Sequence, residues 1–218
     1  MNQSRWKAKG IFLDLDGTIV DSTGAYVEAA RIASQAIGKK QLQTKIALEI
    51  PKRLEQGLSI SDITEGDTKK FLHVFLKAYY SSTEAKTRLF PNVSATLESL
   101  SGKSKLALIT MRYVPNQVIY KELDYFGVAK YFTHIVTAMD TSKPKPSPEA
   151  LVLCAEALHL EMGDCLIAGD SVNDVRAGIA AGTRTVALLS GLFQRDELVK
   201  ECPDLILPNV NSLPEIIE

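Results

Sequence analysis

Ile11-Phe12-Leu13-Asp14-Leu15-Asp16-Gly17-Thr18 is an apolar run that stops abruptly in two carboxylates at alternate positions, followed by a glycine and a hydroxyl. The run reads as a buried strand and the glycine as the turn that ends it. Alternate spacing alone would put Asp14 and Asp16 on one side of the strand. Beyond the strand's end the turn, not the pleat, decides where Asp16 points. Two carboxylates this close repel each other and lose hydration, so they need a cation or a shared proton, and a divalent metal is the simplest answer. A helix N-cap or a polar turn would use the same residue types. The rest of the chain has to separate the two.

At 218 residues the chain fits one ample domain, or one domain carrying a large insertion. Its 45% hydrophobic and 23% charged content is ordinary for a soluble globular protein. A formal net charge of −1 argues for neither nucleic acid nor an anionic membrane surface as a partner. Arg5, Lys7 and Lys9 precede the first apolar run, but Asp14 breaks that run before it reaches signal-peptide length. No stretch approaches the roughly 18 apolar residues of a membrane span. A cytoplasmic protein is the expectation. Cys154, Cys165 and Cys202 are an odd count without Cys-x-x-Cys spacing, which argues against a disulfide framework and a zinc site and for buried thiols.

After Asp21 the texture turns helical. Gly24 to Ile37 carries small and apolar residues at helical spacing with Gly38 as its stop, and a second helical stretch covers about Leu42 to Leu54, interrupted by Pro51. Asp67 can cap a third helix along which Phe71, Leu72, Val74, Phe75, Ala78 and Tyr79 form an apolar stripe. Nothing from Gly24 to about Arg88 reads as a strand. From Pro91 strands and helices alternate. Strands are expected at Leu106 to Ile109, at about Phe132 to Thr137, at Cys165 to Ala168, at Thr185 to Leu189 and, short, at Leu205 to Leu207. Helices are expected at about Val93 to Leu100, after Pro115 up to Gly127, from Pro148 behind a Ser147 cap to about His159, and from about Asn173 to Ala181. This alternation predicts an α/β fold: a Rossmann-like parallel sheet with helices on both faces and an inserted all-helical cap. Residues 1–20 and 89–218 form the core in this reading, and residues 21–88 the cap.

Ligands of open parallel sheets bind beyond the carboxyl ends of the strands. The predicted strand ends here carry Asp14 and Asp16, Thr110, and Asp170 with Asp174 one turn further on. Between them lies Lys143-Pro144-Lys145-Pro146-Ser147-Pro148, a stiff loop that presents lysine just before a helix. Four carboxylates against one or two lysines are prohibitive in a cleft without added positive charge. Hard oxygen ligands without a His or Cys cluster select Mg2+. His73, His134 and His159 are scattered and lack metal spacing. A metal, a lysine and a hydroxyl around a carboxylate nucleophile make a phosphoryl-transfer site.

With these residues in view, the chain resembles the haloacid dehalogenase superfamily, in its phosphoglycolate-phosphatase-like branch with a helical cap. The resemblance runs from about Gly10 to Leu189. It rests on Asp14-Leu15-Asp16-Gly17-Thr18, on Thr110 after an apolar strand, on Lys145-Pro146-Ser147-Pro148-Glu149, and on Gly169-Asp170-Ser171-Val172-Asn173-Asp174 followed by Ala180-Ala181-Gly182. It implies that Asp14 is the nucleophile that becomes an aspartyl phosphate. Asp16 would protonate the leaving alcohol and then activate water, and its backbone carbonyl would join Asp14 and Asp170 on the metal. Thr110 would donate to a phosphoryl oxygen, Lys145 would neutralise the phosphoryl group and Asp14, and Asp174 would orient a metal-bound water or Lys145. Lys143 fails the motif, because Ser147 stands in the acid's place.

Two positions depart from common relatives. Met111 and Arg112 follow Thr110 where small-molecule phosphatases of this branch often have Asn or Gly and a variable residue. Arg112 is a candidate to hold a substrate carboxylate or second phosphate, although a solvated surface charge carries slightly more weight. Gly169 stands where some members, β-phosphoglucomutases included, carry a glutamate, which weakens a mutase reading. In the cap, Lys52 and Arg53 are candidates to reach an anionic substrate on closure. The expected activity is an Mg2+-dependent phosphatase for a small phosphorylated metabolite, phosphoglycolate or a sugar or nucleotide phosphate. A phosphomutase of the β-phosphoglucomutase type and an inert binding scaffold are the alternatives. The sequence leaves the oligomeric state open.

Overall fold

Every side chain of strand β1 (Gly10–Leu13) is buried, with Ile11, Phe12 and Leu13 at 0% exposure. A strand without a polar face needs cover on both sides. In the computed structural model, which describes residues 5–218, β1 is followed by β2 (Val20–Asp21), α1 (Thr23–Ala36), α2 (Thr44–Glu55), α3 (Ser61–Thr64), α4 (Thr68–Lys86) and β3 (Arg88–Leu89). Then come α5 (Val93–Ser101), β4 (Lys105–Ile109), α6 (Asn116–Tyr125), β5 (Phe132–Val136), α7 (Glu149–Leu158) and β6 (Cys165–Gly169). The chain finishes with α8 (Val172–Ala181), β7 (Arg184–Leu188), α9 (Arg195–Val199), β8 (Leu205–Leu207) and α10 (Leu213–Ile216). Residues 1–4, which the sequence reading includes in the core, lie outside the described residues.

Two compact units emerge. One comprises the chain up to Ile19 together with Leu89–Glu218, and the other is Val20–Arg88. The first holds a six-stranded sheet in the order β5-β4-β1-β6-β7-β8, with each neighbouring pair parallel. This is the predicted α/β core. Phe12, Ala107, Ile109 and Ile167 pack with Leu151, Cys154 and Leu158 of α7. Their strand neighbours Ile11, Leu13, Leu106, Leu108 and Leu166 point to the opposite face by strand alternation and are equally buried. Truncating one of these leucines to alanine costs about 2–5 kcal/mol. The chain winds from β1 to β4 and β5 on one side and to β6, β7 and β8 on the other. The reversal of direction therefore falls at β1, where such sheets open a crevice.

The second unit is helical apart from the two-stranded pairing of β2 with β3. Asp67 caps α4 by accepting from the Lys70 amide at 2.9 Å, as its sequence position suggests. Ala25, Ala29, Ala30 and Ala33 of α1 let that helix approach Phe71, Phe75, Ala78 and Tyr79 of α4 closely, and Tyr26 stacks on Tyr79 at 4.7 Å.

Three local readings need correction. Pro51 does not interrupt the second helix, because α2 runs through it; the missing amide leaves one carbonyl a turn earlier without its helical donor, which a single turn tolerates at a cost. Helix α7 begins at Glu149 rather than Pro148, with Pro148 at the cap and Ser147 Oγ accepting from the Glu149 amide at 3.3 Å. Strands β2 and β3 and the four-residue α3 were missed, since segments of two to four residues are too short to show a periodicity. No helix among the described residues is long and apolar enough to cross a membrane.

Candidate active site

The register of β1 with its neighbours builds the site. Leu13 lies opposite Leu108 of β4 and Ala168 of β6. Asp14, Thr110 and Asp170 are the first residues beyond the ends of these three strands, and in this register Thr110 and Asp170 stand one residue further along than Asp14 at the same carboxyl edge. The Asp14 amide donates to the Ala168 carbonyl at 3.1 Å and the Thr110 amide to the Val136 carbonyl at 3.0 Å, so both are anchored by their backbones. Asp14, Thr110 and Asp170 are 7%, 3% and 6% exposed.

Lys145 enters from the loop before α7. Glu149 pins that loop by accepting from the amides of Ser142 and Lys143 at 2.8 and 3.0 Å and from the Ser142 hydroxyl at 2.8 Å. The Lys145 ammonium donates to Asp14 Oδ1 at 2.6 Å and to Asp174 Oδ1 at 2.5 Å. Lys143 is exposed and takes no part in this cluster. Asp174 belongs to a capping box at the start of α8: Ser171 Oγ accepts from the Asn173 and Asp174 amides, while Asp174 Oδ2 accepts from the Ser171 amide at 3.1 Å. Both oxygens of Asp174 are thus committed, one to the helix and one to Lys145. The Ser171 cap was missed in the sequence, although Ser171 and Asp174 have the spacing of that motif.

Asp170 lies in a cradle of backbone. A Cβ on Gly191 would sit 1.6 Å from Asp170 Oδ2 and one on Gly17 would sit 2.5 Å from it. Gly17 also has φ +82°, which only glycine adopts freely. The Thr18 hydroxyl donates to Asp170 Oδ1 at 3.3 Å, and Ser190 Oγ donates to the Gly17 carbonyl at 2.7 Å. Nothing in the sequence around Gly191 signals this role.

Carboxylate oxygens of Asp14, Asp170 and Asp174 all fall within 4.8 Å of one another. Against them stands one ammonium. Burial pushes the Asp14 carboxyl well above its usual range, with Asp174 and Asp16 adding repulsion and Lys145 opposing. Burial works against the charge on Lys145, but Asp14 and Asp174 outweigh it and hold the ammonium protonated above its ordinary range. Excess negative charge on desolvated hard oxygens fits a divalent cation. Asp14, Asp170 and Asp174 are the side chains that could hold one, and of these Asp174 already has both oxygens engaged, by Lys145 and by the Ser171 amide.

Arg112 overturns the reading of a solvated surface charge. It is 4% exposed, and its guanidinium takes both oxygens of Asp16, Nε to Oδ2 at 2.8 Å and Nη2 to Oδ1 at 2.6 Å. Its Nη1 donates to Glu122 Oε2 of α6 at 2.5 Å. The Arg112 amide donates to Thr110 Oγ1 at 3.2 Å, which leaves the Thr110 hydroxyl proton for another acceptor. Burial pushes the Glu122 carboxyl up, with Arg112 opposing. Sequence reasoning missed Glu122 altogether. In the helical unit, Arg53 is engaged by Asp62 in a two-pronged contact at 2.7 and 2.8 Å and by the Ser59 carbonyl at 3.3 Å, and Lys52 lies beside it on α2.

A family profile described as haloacid dehalogenase-like hydrolase matches residues 11–188, which includes Asp14, Asp16, Thr110, Arg112, Lys145, Asp170 and Asp174. The chain belongs to that family. Within it, the chain is 30% identical to a phosphoglycolate phosphatase of Shigella boydii over 94% of its own length and 90% of the relative's. It is likewise 30% identical to a phosphoglycolate phosphatase of Vibrio parahaemolyticus, covering 96% of each. A haloacid dehalogenase-like hydrolase structure from Streptococcus pneumoniae shares the fold with a TM-score of 0.75 at 21% identity, covering 94% of this chain and 95% of that one. The phosphoglycolate-phosphatase-like branch of the haloacid dehalogenase superfamily is therefore the right placement for the chain.

Proposed function

We propose that this phosphatase of the haloacid dehalogenase-like family works with Mg2+ on a small phosphorylated metabolite, through a phosphorylated Asp14. The Asp14 carboxylate carries the reading: it is desolvated at the end of the central strand and held at Oδ1 by Lys145, with Oδ2 left for attack on phosphorus. Asp14 Oδ2 bonds to phosphorus as the bond to the leaving oxygen breaks, and Asp16 gives that oxygen its proton. Water then attacks phosphorus, Asp16 takes the water's proton, and the bond to Asp14 breaks to release inorganic phosphate and restore both carboxyls. Thr110 donates its free hydroxyl proton to a phosphoryl oxygen. Lys145 offsets charge on Asp14 and the phosphoryl group, and Asp174 holds Lys145 in place. Asp14, Asp170 and the Asp16 carbonyl would hold the metal, which when bound neutralises charge on the transferring group.

Phosphoglycolate is the first substrate to test, because both relatives above carry that name; sugar and nucleotide phosphates follow. Gly169 speaks against a mutase. A Cβ there would lie 2.2 Å from Asp174 Cγ, so the glutamate of the mutase pattern does not fit beside this Asp174. Free thiols at Cys154 and Cys165, both buried, accord with a cytoplasmic location. The deciding experiment measures phosphate release from a panel of small esters by wild type and Asp14→Asn, with and without Mg2+. Release that requires both the metal and Asp14 is expected. Equal release by Asp14→Asn would sink the covalent route, and sugar-phosphate isomerisation without phosphate release would replace it with a mutase.

A further inference from the structure

Arg112 and Glu122 stand outside the roles assigned so far, and their geometry is demanding. A guanidinium that is 4% exposed is costly to bury unless its partners are well placed. Here two of its edges are saturated by carboxylates that approach from different elements: Asp16 from the loop after β1 and Glu122 from α6, the helix that follows Arg112 itself. Glu122 Oε1 is buried without a hydrogen-bond partner among the described residues, and Glu122 Oε2 accepts from Arg112. The fork on Asp16 uses both carboxylate oxygens at once, which fixes the plane of the carboxyl group and not merely its position. Lysine, a point charge on a flexible stem, would not do that.

We propose that Arg112 is a positioning residue for Asp16, with Glu122 as its anchor, and that proton transfer to the leaving group depends on this grip. Each carboxylate oxygen offers two lone pairs, so accepting one donor of the fork does not by itself exhaust either oxygen of Asp16. The inference rests on the reading of Asp16 as the acid and base of the reaction. It differs from a substrate clamp, in which Arg112 would leave Asp16 to grip a second anionic group of the substrate.

The test compares kcat/KM, which reports the first irreversible step, for three esters: phosphoglycolate, the uncharged alkyl phosphate that wild type cleaves fastest, and 2,4-dinitrophenyl phosphate. The dinitrophenolate leaves without a proton, whereas an alkoxide needs one. Arg112→Lys keeps the charge and loses the fork, and Glu122→Gln keeps the shape and loses the anchoring charge. Positioned general acids contribute about 10²–10⁴-fold. Arg112→Lys is therefore expected to lose about 10–100-fold on both alkyl esters and less than about 3-fold on the dinitrophenyl ester, the pattern that Asp16→Asn shows more strongly. Glu122→Gln is expected to repeat the pattern more weakly, and it decides the question if Arg112→Lys does not fold. Equal loss on all three esters in a folded variant would mean a structural role and overturn the inference. Loss confined to phosphoglycolate would also overturn it, in favour of the substrate clamp. In both cases the phosphatase reading survives, because wild type still cleaves the esters and Asp14→Asn does not. No cleavage by wild type, or undiminished cleavage by Asp14→Asn, overturns that reading and this inference together.

Discussion

Lys145 and Arg112 are both buried cations placed between two carboxylates, yet they grip in different ways. Lys145 touches one oxygen of Asp14 and one of Asp174. Arg112 covers both oxygens of Asp16 and one of Glu122. An ammonium is a compact charge that can stay close while negative charge moves from Asp14 to a phosphoryl group, and it leaves Asp14 Oδ2 uncommitted. A guanidinium fork instead fixes an orientation. Under the mechanism proposed above, one cation would neutralise a charge and the other would aim a proton.

Breaking the lysine side should have the largest effect. Lys145→Met removes the cation that pairs with Asp14 and is expected to lower kcat/KM by about 10²–10³-fold, the scale of a lost electrostatic stabiliser. That loss should be equal for alkyl and dinitrophenyl esters, since no proton transfer is disturbed. A loss that tracked the leaving group would erase the distinction between the two cations. Asp174→Asn is the milder probe of the same side. It keeps an oxygen for the Ser171 amide but withdraws charge from Lys145. A kcat reduced by about 10-fold, again regardless of leaving group, is expected, and no change would show that Asp174 serves the helix cap only.

The smallest effect is on stability. Asp14 has its carboxyl held above the usual 3.8 in the fold, chiefly by burial, so ionising it favours unfolding. In metal-free protein the stability that goes with a protonated Asp14 is intact below about pH 4 and is lost as pH rises through the raised folded value. Asp14→Asn removes this penalty. Metal-free Asp14→Asn should melt above wild type near neutral pH, while Mg2+ should raise the melting temperature of wild type more than that of the variant. Calorimetric melts at pH 7.5 with chelator and with Mg2+ give both values, and a lower metal-free melting temperature in Asp14→Asn would contradict the sign.

Legibility in the sequence followed locality. Asp14, Thr110 and Asp170 each end an apolar run, and the run and its polar terminus are neighbours in the chain, so their meeting at one sheet edge could be anticipated from strand alternation. Lys145 was legible for the same reason, standing in a proline-stiffened loop beside a helix start. Arg112 was not: it also follows a strand end, but what makes it more than a surface charge is a partner 96 residues away. Glu122 sits among Lys121 and Asp124 on a helix whose pattern is that of any solvated face, and Gly191 matters only because Asp170 comes to rest against it.

By itself the sequence determined the α/β alternation, the mainly helical character of the insertion and the set of strand-end polar residues, because periodicity, caps and turns are written over spans of a few residues. The tertiary structure alone decided which cation serves which carboxylate. Burial and the angle of a guanidinium fork arise only when the loop after β1, the end of β4 and helix α6 are brought together, and no local pattern encodes an approach between segments that far apart.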